Sequence, residues 1–188
     1  CSALAAAGVG ALVLPLGVQG ASQALRELAA TPALGTAIGG YAENGVCSAR
    51  EVYDVKGHFV FSRFADGAVL RRAQSLGLAS LVVANSPSEF VAASRAGVAG
   101  VVILPELVSP ARLRACRDCL PPGFHILAWG LVEPQALEEY WAAGISGVAV
   151  GSALLIHPNE PLSETTARAA ALLSSCRAAQ RSAAALHS

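Results

Sequence analysis

The chain has 188 residues, 54% of them hydrophobic but only 5% aromatic, with no Met; this is enough for one domain around one large core packed by Ala, Val and Leu. Thirteen basic and thirteen acidic residues cancel, which removes the electrostatic case for a nucleic acid or an anionic membrane as partner. No apolar run reaches the roughly 18–20 residues of a membrane span; the nearest, residues 3–21, is broken by four glycines and a proline.

Taken in order, residues 2–8 read as the last turns of a helix stopping at Gly8, and ALVLPL (11–16) reads as a strand. A helix at 21–30 turns Leu25 and Leu28 inward, LGTAIGG (34–40) is the next strand, and a helix follows near 48–56. HFVFS (58–62) alternates as a strand. The helix at 66–77 has Asp66 as its N-cap and a glycine stop. SLVVA (80–84) is a strand. The helix at 86–97 opens with Ser86 as cap, Pro87 at the first helical position and Glu89 as the capping-box acid. A strand at 100–105, a helix at 109–120, a strand at 125–130, a helix within 131–144, a strand at 147–151 and a long helix at 163–185 complete the chain.

Strand and helix alternate at about 22–25 residues throughout, which predicts an α/β fold with an all-parallel sheet, either barrel or doubly wound, in a single domain spanning 1–188. Seven strands are one short of a TIM barrel. The missing strand is expected upstream of Cys1, to fill a gap between the strands at 11–16 and 147–151, both too apolar to stand as open edges.

The stretch from His125 to Leu155 reads as strand, helix, strand: a right-handed βαβ unit. Leu137, Tyr140 and Trp141 stand at helical spacing and Gly144 suits a left-handed helix end. Gly130 ends one strand, and Gly151 with Ser152 ends the other. Glycines there let backbone N–H groups approach an anion, so Gly130, Gly151 and Ser152 are the candidate phosphate-binding residues.

The five cysteines stand at 1, 47, 116, 119 and 176. Cys116 and Cys119 form one CxxC at a helix end, with no second pair and no nearby His; they read as reduced cysteines rather than a zinc or redox centre. That argues against secretion; a chain beginning at Cys1 rather than Met suits an intracellular protein that lost a targeting segment, as import into a plastid would cause, and equally suits a piece of a longer chain.

The order of motifs resembles one family, the KDPG/KHG aldolases (2-keto-3-deoxy-6-phosphogluconate and 4-hydroxy-2-oxoglutarate aldolases). VVANSPSEFVAASRAGVAGVVILPE (82–106) is similar to that family's GVATPTE-to-KFFPAE block. HILAWGLVEPQALEEYWAAGISGVAVGSALL (125–155) is similar to its IPTGGI-to-AVGGSWL block, and AGVGALVLPLGVQGASQALRELAA (7–30) to its AIEVTLRTP block. The resemblance covers essentially the whole chain and implies a (β/α)8 TIM barrel whose first strand is missing from this chain. It also implies chemistry through a Schiff base between a strand-end lysine and a keto acid, with a carboxylate for proton transfer, an arginine for the substrate carboxylate and a glycine-rich phosphate site; no cofactor is involved.

Matched position by position, the Schiff-base lysine falls on Val102, the carboxylate on Val13 and the arginine on Gly17. The phosphate motif becomes Ala128-Trp129-Gly130, with an indole where a glycine admits the anion; only Gly151-Ser152 survives of the second phosphate segment. Val13, Val102 and Trp129 are therefore expected at the C-terminal ends of their strands. Lys56, the sole lysine, precedes a strand and belongs at the opposite face from barrel chemistry. Glu43 and Glu106 stand near strand ends without a His/carboxylate cluster, Glu106 matching the family's PAE glutamate as a structural residue. His125 begins a strand and His157 lies just past the last one; neither has the setting of a base. No metal site is expected.

Two readings follow. The first is a catalytically inactive aldolase-like barrel with no catalytic residues, kept as a structural or assembly subunit. The second is an active lyase on a substrate of the family's type, or a phosphate-ligand-binding barrel. The resemblance and the low charge, 14% against roughly 25% in ordinary soluble proteins, point to a homotrimer or to a place in a larger complex.

Overall fold

The computed structural model describes residues 2–16, 18–31, 35–42, 47–63, 65–131, 133–151 and 161–185. Eight helices alternate with seven strands among them: α1 (Ser2–Ala6), β1 (Ala11–Pro15), α2 (Ala21–Ala29), β2 (Ala37–Ala42), α3 (Cys47–Asp54), β3 (Phe59–Ser62), α4 (Gly67–Ser75), β4 (Ala79–Val83), α5 (Pro87–Arg95), β5 (Gly100–Ile103), α6 (Pro110–Arg117), β6 (His125–Trp129), α7 (Pro134–Ala142), β7 (Gly147–Ala149) and α8 (Leu162–Ala185). Sheet order is sequence order, β1 to β7. The chain forms two compact units, Cys1–Val83 with Ala96–Ala99, and Ala84–Arg95 with Gly100–Ser188.

In the first unit β1 to β4 pair in parallel, with Ala11 opposite Ala37, Gly39 opposite Phe59 and Phe59 opposite Ala79. Alternation along each strand then assigns the faces. Leu12 and Ile38 pack with Leu25, Leu28 and Val55, while Val60 packs with Ala49, Val52, Ala73 and Leu78. Each of the Leu, Ile and Val side chains among them contributes about 1.5–3 kcal/mol by leaving water. The other face carries Val13, Gly39, Phe59 and Ala79 in one row and Pro15, Tyr41, Phe61 and Leu81 in the next. Gly39 and Gly40 serve one face each: a Cβ on Gly39 would lie 2.5 Å from the Phe59 ring, and one on Gly40 would collide with Val52.

The second strand begins at Ala37, three residues later than the sequence pattern predicts, and runs on to Ala42. The cause is local. Gly35 takes a left-handed turn at φ 56°, Thr36 Oγ1 donates to the Val9 carbonyl, and the ladder with β1 then opens at Ala37.

In the second unit β5, β6 and β7 pair in parallel, Val102 beside Leu127 and Leu127 beside Gly147. Val101, Ile103 and Ile126 are buried, as are Phe90, Leu113 and Leu137 of the helices. Half of the predicted capping box forms: Ser86 Oγ accepts from Glu89 N at 3.4 Å, while Glu89 Oε2 accepts from the N–H of Asn85, one residue before the cap, at 2.6 Å. Asn85 also accepts the Leu104 N–H on its Oδ1 at 2.9 Å, tying α5's start to the end of β5. The Tyr140 hydroxyl, on α7, points at the carbonyls of Pro105 and Val108 at 2.9 and 2.8 Å and so pins the loop that follows β5.

Candidate functional site

In parallel α/β folds of this kind ligands meet the C-terminal ends of the strands. In the second unit that region is built from Val102 and Leu104 around the end of β5, Trp129 and Gly130 at the end of β6, and Gly151 beyond β7. Val102 is 1% exposed. Its carbonyl accepts the Ala84 N–H at 3.1 Å, and its side chain shares a face with that of Leu127. The position is filled, apolar and without a polar neighbour on the adjacent strand. Trp129 lies two residues beyond Leu127 on the same face, is 40% exposed, and its Cζ2 stands 3.6 Å from where a Cβ on Gly151 would be. The indole therefore covers the surviving phosphate-segment glycine.

Gly130 takes φ 73°, which turns the chain out of β6 as a glycine allows. Its N–H donates to the Ala149 carbonyl at 2.7 Å. That donor extends the β6–β7 ladder and is not free for an anion. Ser152, His157, Gly17 and Glu43 lie outside the described residues.

Val13 belongs to the first unit. It is the middle residue of β1 rather than its C-terminal one, faces Gly39 in the register and is 43% exposed. Val102 is likewise the third of four residues in β5; of the three residues expected at strand ends, only Trp129 is terminal. Two further residues of this face escape a reading of the sequence. Tyr41 and Phe61, near the C-terminal ends of β2 and β3, stack with centroids 5.3 Å apart, and the Tyr41 hydroxyl is enclosed with no hydrogen-bond partner among the described residues. The alternating IGGYA and FVFS hold the signal, but only the register shows that the rings meet.

Lys56 sits in the turn before β3 with φ 60°, beside Tyr53, Asp54 and Gly57. That is the N-terminal end of the strand, as its place in the sequence predicts. Glu106 is exposed past β5, and His125 is exposed at the start of β6. Burial first, then repulsion from Glu106 and Glu139, pushes the Tyr140 hydroxyl above its ordinary pKa, so it stays a neutral donor. Cys116, Cys119 and Cys176 are free thiols, and burial raises Cys116 and Cys176 away from the reactive thiolate. Among the described residues no three His, Cys, Asp or Glu side chains group as metal ligands, and no helix is long and apolar enough to cross a membrane.

No family model matches the chain. It is 28% identical over 153 residues, 81% of its length and 72% of the relative's, to the probable 2-dehydro-3-deoxy-6-phosphogalactonate aldolase of Rhizobium meliloti (strain 1021). A native KDPGal structure superposes with a TM-score of 0.84 at 23% identity, over 96% of this chain and 87% of the other. The 4-hydroxy-2-oxoglutarate aldolase/2-deydro-3-deoxyphosphogluconate aldolase from TTHB1 gives a TM-score of 0.76 at 22% identity, over 93% and 85%. The described strands and helices thus form a TIM-type α/β fold, and the chain is similar in sequence and in structure to the KDPG/KHG aldolases.

Proposed function

We propose that this chain is a catalytically inactive aldolase-fold protein that serves as a structural or assembly subunit. One observation carries the reading: Val102, at the position matching the Schiff-base lysine, is a fully buried aliphatic residue. A carbonyl substrate needs an amine there to form the electron sink, and the sole lysine of the chain, Lys56, stands at the N-terminal end of its strand. Val13 and Gly17 replace the carboxylate and the arginine in the same reading. Phosphate contact, if retained, falls to Gly151 and Ser152, since the Gly130 N–H is committed to Ala149.

The assembly role draws on the surface. The chain carries only 14% charged residues, below the roughly 25% of ordinary soluble proteins, and Leu107 and Leu162 are 53% and 61% exposed. A homotrimer or a place in a larger complex fits it. A single domain, closure of the barrel by an eighth strand, and a plastid location belong to the same proposal.

The test is borohydride trapping with pyruvate and with glyoxylate, read by intact mass. No adduct is expected. A trapped adduct on Lys56 would return the chain to the lyase class. The second reading, an active lyase, is favoured by the aldolase relative at 28% identity; release of pyruvate from 2-dehydro-3-deoxy-6-phosphogalactonate by the purified chain would establish it.

A further inference from the structure

At the other end of the second unit, where β6 begins and α6 and α7 finish, an open cleft of about 510 Å³ is lined by Arg117, Phe124, His125, Trp141, Ser146 and Gln180, with small apolar side chains of α8 between them. Its size lies in the range of small-molecule sites. Among the described residues no carboxylate lines it.

The polar groups divide into those already spoken for and those left over. Ser146 is held against β6: its Oγ accepts from Ile126 N and its N–H donates to the Ile126 carbonyl. The carbonyls ending α7 are also taken, Tyr140 by Ile145 N, Trp141 by Gly144 N and Glu139 by Ala143 N. Arg117 is held in place. Its Cγ and Cδ lie 3.5 and 3.6 Å from where a Cβ on Gly144 would be, and its Nη1 donates to the Phe124 carbonyl. A guanidinium has five N–H donors, so most of this fork has no protein acceptor among the described residues. Trp141 Nε1 is enclosed and has no hydrogen-bond partner among the described residues. Native proteins rarely leave such a donor unpaired. The partial negative charge at the end of α6, about half an elementary charge, offsets only part of the guanidinium.

Among the described residues the cleft holds no acceptor with negative charge. We propose that it binds a small organic anion, a carboxylate or phosphate monoester on an apolar body, with the Arg117 guanidinium and Trp141 Nε1–H as donors and Phe124 and Ile145 against the body. The site is separate from the strand C-terminal ends and does not depend on whether the chain is catalytic.

The experiment is calorimetric titration of the intact chain with benzoate and with phenyl phosphate, with benzyl alcohol as the uncharged control, while the two indole N–H signals are followed by NMR and assigned with Trp129→Phe. Saturable binding with a dissociation constant of about 1 mM or tighter is expected for at least one anion, moving the Trp141 signal and leaving that of Trp129 in place; which anion binds identifies the head group. Arg117→Ala should weaken binding about tenfold or more, and Arg117→Lys, which keeps the stem and charge, less. Trp141→Phe keeps an aromatic ring but removes the donor, so it should weaken binding about fivefold or more, with circular dichroism showing that the variant is folded. No saturable binding of either anion, equal binding of benzyl alcohol, or undiminished affinity in folded Trp141→Phe would each overturn the proposal.

Discussion

Placing a lysine where the family's chemistry requires one, Val102→Lys, tests whether that position is a filled core site or an open mouth. Val102 is 1% exposed beside Leu127, and no charged residue flanks it in the β5–β6 register. A lysine fully buried in such surroundings has its pKa lowered by up to about 3–5 units from about 10.4, to around 6. At pH 7 the amine is then neutral in the folded chain and protonated in the unfolded one. The linkage cost is about 3.4 units at 1.36 kcal/mol each, or about 4.6 kcal/mol. A base with a depressed folded pKa binds more protons unfolded, so stability rises with pH between about 6 and 10.4. Raising the pH from 7 to 9 should recover about 2.7 kcal/mol relative to the parent chain. Urea unfolding of both proteins at the two pH values, followed by circular dichroism, measures this, with Val102→Met as the uncharged control. A penalty below about 1 kcal/mol at pH 7, or one unchanged by pH 9, would mean that the amine reaches water or a counter-charge, and the filled-site argument would fail. Aldol turnover is not expected in this variant, because Val13 and Gly17 are unchanged.

Tyr140→Phe removes the hydroxyl that pins the Pro105 and Val108 carbonyls and should cost about 1–3 kcal/mol, seen as a melting-temperature drop of several degrees. Gly39→Ala drives a methyl into the Phe59 ring and should destabilise by about 1–3 kcal/mol; adding Phe59→Leu should restore part of that, and additive losses in the double variant would argue against the collision. Burial raises the Cys116 thiol while Cys119 is exposed, so limited iodoacetamide at pH 8 should label Cys119 first; peptide mapping that finds Cys116 labelled equally would contradict the burial.

The alternation of strand and helix was readable because each strand is a short β-rich run closed by glycine or by a capping residue, as with Asp66 Oδ1 accepting from Ala68 N. The beginning of β2 was not, because Leu34 continues the apolar run while the turn at Gly35 and the Thr36 hydroxyl delay the ladder. At the candidate site the substitutions at Val102 and Trp129 could be read from motif order. The commitment of the Gly130 N–H could not: it depends on which β7 carbonyl stands opposite, and only the register supplies that. The Tyr41–Phe61 stack was missed for the same reason, since two strands twenty residues apart must first be aligned.

The two glycines at the centre of β2 have a consequence for the order of folding. With no side chains there, the middle of this strand brings backbone hydrogen bonds but little apolar drive of its own, while the groups that close over it, Phe59 on one side and Val52 on the other, come from β3 and α3. Chain collapse must assemble those neighbours before β2 has a slot to enter. β2 is therefore expected as a late-docking strand inside an otherwise locally wound unit, with transition-state φ-values near zero for Ile38→Val and higher ones for Val52→Ala. A high value at Ile38 would reverse that order.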